Sequence, residues 1–316
     1  MARAKVDLTE TAKAAVYESL LDEGILGTFS GSILCLGTFD GVHLGHDMLL
    51  RHLQASSEES ALPAIIISFH PPVRSVFQGV RYLSSRDEKL MLLSRYQPHA
   101  IVMIPFSFDY AKTEKGIFLA QLAQLNPKRI IVGDDFRFGH QREGGVADLR
   151  TISDEVDCFG MRRLNGMEIK SSYIRMLIQE AQIDEAARFL GRSYFACGKV
   201  IHGEERGHSI GFPTANVALP EQKLLPQGVF AVMVECSYGS FAAMANVGPR
   251  PSFPEAPPAL EVHIFDFNQD LYGQEIIVHF KHYLRSQIKF ASLTELKAQL
   301  AEDGRMALSL LKSPQA

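Results

Sequence analysis

The chain is poor in cysteine and has no strong excess of charge. Its four cysteines are scattered, with no Cys-x-x-Cys pair and no histidines at zinc-finger spacing, which argues against a disulfide framework and a cysteine-based metal site. A formal net charge of −4 gives no basic field of the kind that binds nucleic acid. We therefore expect a protein of the reducing cytoplasm that holds small anionic ligands locally.

Long apolar stretches and leader-like segments are lacking too. The longest apolar stretch, near residues 61–69, is well short of the ~20 residues that a membrane span needs. The first seven residues lack the apolar core of a signal peptide. The sequence therefore predicts a cytoplasmic protein without a membrane partner, and 316 residues are enough for two domains.

From about residue 31 to residue 190, short β-branched stretches alternate with amphipathic helical patterns. This alternation predicts a parallel sheet covered by helices, with ligands at the carboxyl ends of its strands. The predicted strands are Ile33–Leu36, Ala64–Phe69, Ala100–Ile104 and Arg129–Val132. The predicted helices are Asp47–Gln54, Arg86–Ser94, Lys115–Gln124, Ser172–Gln179 and Asp184–Leu190, with another expected around Leu8–Leu21.

After Gly191, short strand-like stretches follow one another, and a helical period returns only at Ser292–Leu311. This spacing predicts an antiparallel β-barrel with a closing helix. The predicted strands are Phe195–Ile201, Val229–Cys236, Phe241–Val247, Leu260–Phe267 and Glu275–Phe280. We therefore expect an α/β + β protein with a Rossmann-like domain at residues 1–188 and a barrel domain at residues 189–316.

A glycine-rich turn joins the first predicted strand to the first predicted helix of the α/β region. Residues 37–46 read Gly-Thr-Phe-Asp-Gly-Val-His-Leu-Gly-His. Such a junction directs backbone N–H groups and the positive end of the helix dipole at one point, where phosphate binds. His43 and His46 project toward that point from the first helical turn. We predict an ATP site; a solvated surface turn, or a metal site that adds Asp40, would also explain the pattern.

Two further clusters of the first half carry chemistry. Asp135, Phe136 and Phe138 follow the strand at Arg129–Val132 and suit a flat polar ligand, although such phenylalanines also serve as core residues. Ser172 and Arg175 lie in the first turn of a predicted helix. They suit phosphate binding, and helix capping alone also explains the serine.

The second half offers oxygen donors and one carboxylate. Thr214 and Asn216 follow Pro213 and are neutral oxygen donors of the kind that Mg²⁺ accepts, although the same segment also suits a structural turn. Glu261 alternates with apolar neighbours in a predicted strand and therefore points away from the apolar face. It is either solvated or a general base for phosphoryl transfer.

Together these motifs resemble those of the bacterial bifunctional riboflavin kinase/FAD synthetase family. The first half has its Gly-x-Phe-Asp-Gly-x-His-x-Gly-His, Asp-Phe-Arg-Phe-Gly and Ser-Ser-x-x-Ile-Arg elements, and the second half has Gly-Phe-Pro-Thr-Ala-Asn, Asp-Leu-Tyr-Gly and Leu-Arg. The resemblance implies a kinase half that phosphorylates riboflavin to FMN. It also implies a nucleotidyltransferase half that adenylylates FMN to FAD. Both reactions would use ATP and Mg²⁺, and the partners would be small molecules. Independently of the resemblance, we expect a monomer.

The same resemblance implies the roles of individual residues. Catalytic roles fall to His43, His46 and Arg175 in the first domain and to Glu261, as the base, in the second. In the first domain, ATP would be bound by Gly37, Phe39, Asp40, Gly41, His43, Gly45, His46, Ser172 and Arg175, and the flavin by Asp135, Phe136 and Phe138. In the second, ATP would be bound by Gly198, Gly203, Arg206, Gly207, Gly211, Pro213, Thr214 and Asn216, with Mg²⁺ on the last two.

Four positions depart from the family pattern. Pro72 replaces a histidine, His208 replaces an arginine, Gln287 replaces a glutamate and Gly145 replaces an aspartate. The first departure motivates a second hypothesis, a riboflavin kinase whose first domain is not catalytic. His-x-Gly-His also occurs in class I aminoacyl-tRNA synthetases and cytidylyltransferases, but the chain lacks the Lys-Met-Ser-Lys-Ser loop. A flavin carrier without turnover stays open at this point.

Overall fold

The computed structural model describes residues 14–202, 211–248 and 259–312. The chain divides into two compact units, and the division falls after Ser171. The predicted border between residues 188 and 189 lies further along the chain and stays a prediction.

The first unit alternates strands and helices. Its strands are β1 (Ala15–Tyr17), β2 (Ser32–Leu36), β3 (Ala64–His70), β4 (Ala100–Pro105), β5 (Pro127–Gly133), β6 (Glu155–Phe159), β7 (Arg163–Leu164) and β8 (Met167–Glu168). Its helices are α1 (Leu44–Ser60), α2 (Val73–Gln78), α3 (Arg86–Ser94), α4 (Lys115–Ala123) and α5 (Val146–Leu149), with single 3-10 turns at Tyr110–Lys112 and His140–Arg142.

In the described part of this unit, six strands form one parallel sheet in the order β1-β4-β3-β2-β5-β6. β2 is buried at every position, and β3 at all but its last. Parallel strands read as continuous apolar stretches because both of their faces are covered. The core includes Leu34, Ile65, Val102 and Ile130 from four neighbouring strands and Phe118 from α4. The four strands predicted for this region are confirmed.

The helix expected around Leu8–Leu21 is wrong for the residues that the structure describes. Ala15–Tyr17 is strand β1, which pairs in parallel with β4 at the edge of the sheet, and turns follow it. Pairing with an existing sheet edge overrides a weak local helical pattern. Residues 8–13 lie outside the described ranges.

The second unit begins within α6 (Ser171–Gln179) and continues through α7 (Ile183–Leu190). Its strands are β9 (Tyr194–Ile201), β10 (Ala215–Ala218), β11 (Gly228–Cys236), β12 (Gly239–Gly248), β13 (Ala259–Ile264) and β14 (Glu275–Arg285), and α8 (Leu293–Lys312) follows. Across the described residues these strands close an antiparallel barrel in the order β10-β13-β12-β11-β14-β9. The predicted barrel and its final helix are confirmed.

The barrel separates an apolar inside from a mixed outside. Along β13, Leu260, Val262 and Ile264 are buried, whereas the residues between them are half-buried. Part of the outer surface is covered by α8, where Ala307 packs with Met244 of β12. The neighbouring outer surface of β12, β13 and β10 carries polar side chains that remain partly exposed.

Candidate active sites

The order of the strands in the parallel sheet reverses at β2. The chain proceeds from β2 to β3 and β4 on one side, and then places β5 on the other side of β2. In open sheets of this kind, ligands bind in the crevice outside the carboxyl ends of the strands where the order reverses. Residues 37–46 follow β2 and residues 134–138 follow β5, so both predicted segments lie at this position of the fold.

His43 and His46 lie side by side at the beginning of α1. Their rings stack with 3.6 Å between centroids and 13° between planes. His43 is the N-cap, and its Nδ1 accepts a hydrogen bond of 3.3 Å from the backbone N–H of His46. Because Nδ1 accepts, a neutral His43 ring carries its proton on Nε2, which is then a donor. Both rings lie at the positive end of the helix dipole, where phosphate oxygens are favoured.

Phe39 and Asp40 are the buried residues of the turn. Phe39 is 1% exposed and Asp40 is 2% exposed. Oδ1 of Asp40 accepts from the backbone N–H groups of Leu83 and Ser84 at 2.9 and 3.2 Å. This carboxylate is therefore engaged with the backbone. Within the described ranges, no group of three His, Cys, Asp or Glu side chains is placed to hold a metal.

Two glycines of the turn lie close to neighbouring side chains. Gly41 has φ of +81°, and a Cβ there would lie 2.7 Å from the Leu83 side chain. A Cβ at Gly45 would lie 3.1 Å from the His43 ring. Gly45 therefore makes room for the His43 ring, and its part in binding ATP stays a prediction.

The three residues predicted to bind flavin, which follow β5, differ in how far they are exposed. Asp135 is exposed and Phe136 is half-buried. Phe138 is 6% exposed and packs on Phe118, with 5.2 Å between ring centroids. Phe138 is thus a core residue, the second of the two roles considered for it, and Phe136 and Asp135 remain the members accessible to a ligand.

Ser172 and Arg175 lie on α6, beyond the end of the first unit. Ser172 is exposed and Arg175 is 8% exposed. The preceding residue, Ser171, belongs to the first unit and donates a hydrogen bond of 3.0 Å to the backbone oxygen of Asp40. An approach of Ser172 and Arg175 to ATP stays a prediction.

The sequence analysis did not identify a buried cation that contacts the turn leading to His43 and His46. Lys89 of α3 is fully buried, and its Nζ donates to the backbone oxygens of Thr38 and Phe69, both at 2.8 Å. Burial lowers the pKa of Lys89 to about 8, although the charge of Asp40 opposes the shift. The available signal was a lysine among the apolar positions of an amphipathic helix.

Pro72 occupies the position of the family histidine, and His70 lies two residues before it. Pro72 is buried and is the N-cap of α2. His70 ends β3, and burial together with the charges of Lys89 and Arg86 lowers its pKa to about 3. The imidazole of His70 is therefore neutral over the physiological pH range.

An aromatic cluster beyond the end of β4 was also missed. Phe77 and Phe108 are 53% and 60% exposed, and their rings meet edge to face at 5.2 Å. Phe106 and Tyr110 continue the cluster inward to Phe69 of β3. The sequence signal was Phe-Ser-Phe-Asp-Tyr, which directly follows a strand.

In the second unit, the register of the barrel strands joins two of the predicted residues. Glu261 of β13 lies directly opposite Asn216 of β10 and, on its other side, opposite Asn246 of β12. Opposed residues of antiparallel strands place their Cβ atoms about 4.5–5.5 Å apart on one face. Since Leu260 and Val262 point inward, Glu261, Asn216 and Asn246 form a polar row on the outer face.

The segment that leads into β10 is fixed beside this row. Nδ1 of His263 lies 2.7 Å from the backbone oxygen of Pro213, and the His263 ring contacts Phe212. Thr214 is half-buried and precedes Asn216 by two residues. Gly211, exposed with φ of +84°, begins the segment. Pro213, Thr214 and Asn216 therefore approach the row as one short segment.

The remaining predicted residues of this unit divide into three groups. Gly198 is buried, and a Cβ there would lie 2.1 Å from the backbone oxygen of Ala218, so strand packing already requires this glycine. Gln287, which departs from the family pattern, donates a hydrogen bond of 3.0 Å from Nε2 to Oδ1 of Asn246 in the polar row. The positions outside the described ranges are Gly203, Arg206, Gly207 and His208.

Comparison with known proteins gives the family. A sequence model of FAD synthetase matches residues 27–175, and one of riboflavin kinase matches residues 190–311. A bifunctional riboflavin kinase/FMN adenylyltransferase of Haemophilus influenzae is 36% identical over 294 residues, which cover 90% of this chain and 95% of that protein. The chain belongs to this family. It carries both the FAD synthetase and the riboflavin kinase domains, which favours the bifunctional interpretation over a kinase alone.

Two other similar proteins also match over most of the chain. The family member of Escherichia coli K12 is 35% identical over 288 residues, covering 86% of this chain and 90% of that protein. A solved structure from Streptococcus pneumoniae, named a macrolide-efflux protein, has a TM-score of 0.81 at 30% identity and covers 93% of this chain and 98% of its own. In the described ranges of the present chain, no helix is long and apolar enough to cross a membrane.

Proposed function

We propose that the first unit transfers AMP from ATP to the phosphate of FMN. An FMN phosphate oxygen attacks the α-phosphorus, the bond to the bridging oxygen breaks, and pyrophosphate leaves with the electron pair. His43 and His46 hydrogen-bond to the phosphate chain and stabilise the charge that builds on the leaving group. The observation that carries this assignment is the stacked pair at the N-terminus of α1, at the reversal of the strand order.

The flavin ring of FMN requires an apolar surface beside the phosphate site. Phe136 offers a half-buried ring after β5, and Asp135 offers a carboxylate to the polar edge of the ring system. The exposed pair Phe77 and Phe108 offers further aromatic surface at the same end of the sheet. Ser172 and Arg175 are proposed to bind the triphosphate.

In the second unit, we propose that Glu261 accepts the proton of the ribityl 5′-hydroxyl of riboflavin as that oxygen attacks the γ-phosphorus of ATP. FMN forms, and ADP leaves as the γ-phosphate bond breaks. This assignment is supported by the register that opposes Glu261 to Asn216. The neutral oxygens of Thr214 and Asn216, beside a carboxylate, suit Mg²⁺. Bound there, Mg²⁺ would neutralise phosphate charge.

The direct test supplies purified protein with ATP, Mg²⁺ and either riboflavin or FMN, and separates the products by chromatography. FMN and then FAD should form from riboflavin, and FAD should form from FMN. Absence of FAD from FMN would remove the first assignment, and absence of FMN from riboflavin would remove the second. A monomeric state, and action in the cytoplasm, stay predictions.

A further inference from the structure

The turn after β2 is held in an unfavourable backbone conformation. Phe39 has φ of +48° and Val42 has φ of +38°, and Gly41 lies between them with φ of +81°. Bulky and β-branched residues are disfavoured in this region and persist only where the surroundings enforce them. The turn that leads to His43 therefore needs support from outside itself.

The support comes from side chains on several elements. At Thr38, the backbone oxygen accepts from Lys89 Nζ at 2.8 Å and from Ser68 Oγ at 3.1 Å. Lys89 also donates 2.8 Å to the backbone oxygen of Phe69 near the end of β3. One buried ammonium group thus joins the turn to the neighbouring strand, at the end of the sheet where the phosphates are proposed to bind.

A fully buried lysine is costly unless it is bonded, because a charge loses its hydration on burial. Lys89 is 0% exposed and donates to two neutral carbonyl groups, while Asp40 lies near enough to favour its charged form. A methionine or leucine would pack at this position without that cost. The cation is therefore better explained by what it does for the turn than by stability.

We infer that Lys89 is a positioning residue for adenylyl transfer: by bonding Thr38 and Phe69 it holds the turn in the shape that presents His43 and His46 to the triphosphate of ATP. The inference rests on the proposed function of the first unit. In this role Lys89 touches neither nucleotide nor flavin. Its positive charge beneath the turn also adds to the potential that attracts phosphate.

The test replaces Lys89 by methionine, which keeps an unbranched side chain, one atom shorter, and removes the donors. We expect the KM for ATP in FAD synthesis to rise about 10-fold or more, because the phosphate contacts lose their geometry. A merely structural role would lower the amount of active enzyme, and hence the maximal rate, without moving KM. Riboflavin phosphorylation by the same sample reports that the second unit is intact.

The matched control is Ser85→Ala in the same helix. Ser85 closes the capping box of α3, and its two hydrogen bonds in that box are to Glu88 and not to the turn. Losing this cap lowers the stability of the helix. The control should lower the melting temperature while leaving the KM for ATP within about twofold.

Ser68→Ala covers the case in which Lys89→Met does not fold. It removes the hydroxyl that donates to Thr38 and should raise the KM for ATP by about 2- to 5-fold. A folded Lys89→Met with unchanged KM for ATP overturns the inference, and so does an unfolded one combined with an unchanged KM in Ser68→Ala. Wild-type protein that makes no FAD contradicts the proposed function instead.

Discussion

The two candidate sites of this chain are built by different means. In the first unit, the histidine pair follows a turn with positive φ at Phe39 and Val42 and depends on buried groups such as Asp40 and Lys89. In the second unit, Glu261 and Asn216 meet because two strands pair in a regular register. Activity at a site held by strained backbone should be sensitive to substitution of residues that support the turn from a distance. Activity at a site held by strand register should be sensitive mainly to substitution of the site's own side chains.

The largest effect is expected at the register-built site. Glu261→Gln keeps the size and removes the base, so phosphorylation of riboflavin should fall by about 10²- to 10⁴-fold. FAD synthesis from FMN should stay within about twofold. The measurement is the rate of FMN formation, followed by chromatography. The control is Glu275→Gln, at an exposed position where β14 of the same barrel begins. Unchanged phosphorylation in Glu261→Gln would remove the base assignment.

The corresponding change at the strained site is His46→Ala. It removes a proposed phosphate donor without removing the N-cap, so FAD synthesis should fall by about 10²- to 10³-fold. Riboflavin phosphorylation should not change. His52→Ala is the control on the same helix, since His52 lies against Asp157 at 2.7 Å and outside the site. Equal losses in both variants would mean that the helix, and not the donor, is responsible.

Asn216→Ala tests whether the site in the second unit holds Mg²⁺. If Asn216 helps to hold Mg²⁺, the Mg²⁺ concentration for half-maximal phosphorylation of riboflavin should rise by about 10-fold or more. Saturating Mg²⁺ should restore most of the rate, because the base is still present. A Mg²⁺ titration at saturating ATP measures this. Asn246→Ala, opposite Glu261 on the other side, should shift the midpoint less, and equal shifts would count against a metal role for Asn216.

The smallest effect concerns pH and belongs to the first unit. The pKa of His70 is lowered from its usual 6.5 to about 3, so the unfolded chain binds the additional proton between these values. Stability contributed by neutral His70 is complete above pH 6.5 and is lost as pH falls toward 3. His70→Gln should therefore show a weaker acid destabilisation than wild type in thermal melts at pH 7 and pH 4.5. Identical losses in the two proteins would contradict this.

Much of the fold was accessible from the sequence because it rests on local patterns. The apolar stretches of β2 to β5, and the repeated short strands after Gly191, have the periods that their architectures require. Strand β6 was missed because it lies at an edge, is half-exposed and carries polar residues. The short strand β10 was missed because its local sequence equally suits a turn.

The sites were less accessible because they depend on pairing between distant segments. Glu261 and Asn216 could each be selected by residue type, but their juxtaposition is a property of the register of β10 and β13. The role of Lys89 requires the packing of α3 beneath the turn, which no spacing in the sequence encodes. Phe138 shows the converse, a motif residue that the fold uses as core.

The most direct test of two separate sites mixes two variants that are each inactive in one half. His46→Ala and Glu261→Gln are supplied with riboflavin, ATP and Mg²⁺, alone and in equimolar mixture, and FMN and FAD are quantified. We expect His46→Ala to accumulate FMN, Glu261→Gln to make FAD only when FMN is added, and the mixture to make FAD from riboflavin. Loss of both reactions in either single variant, or a mixture that makes no FAD, would contradict the presence of two independent sites.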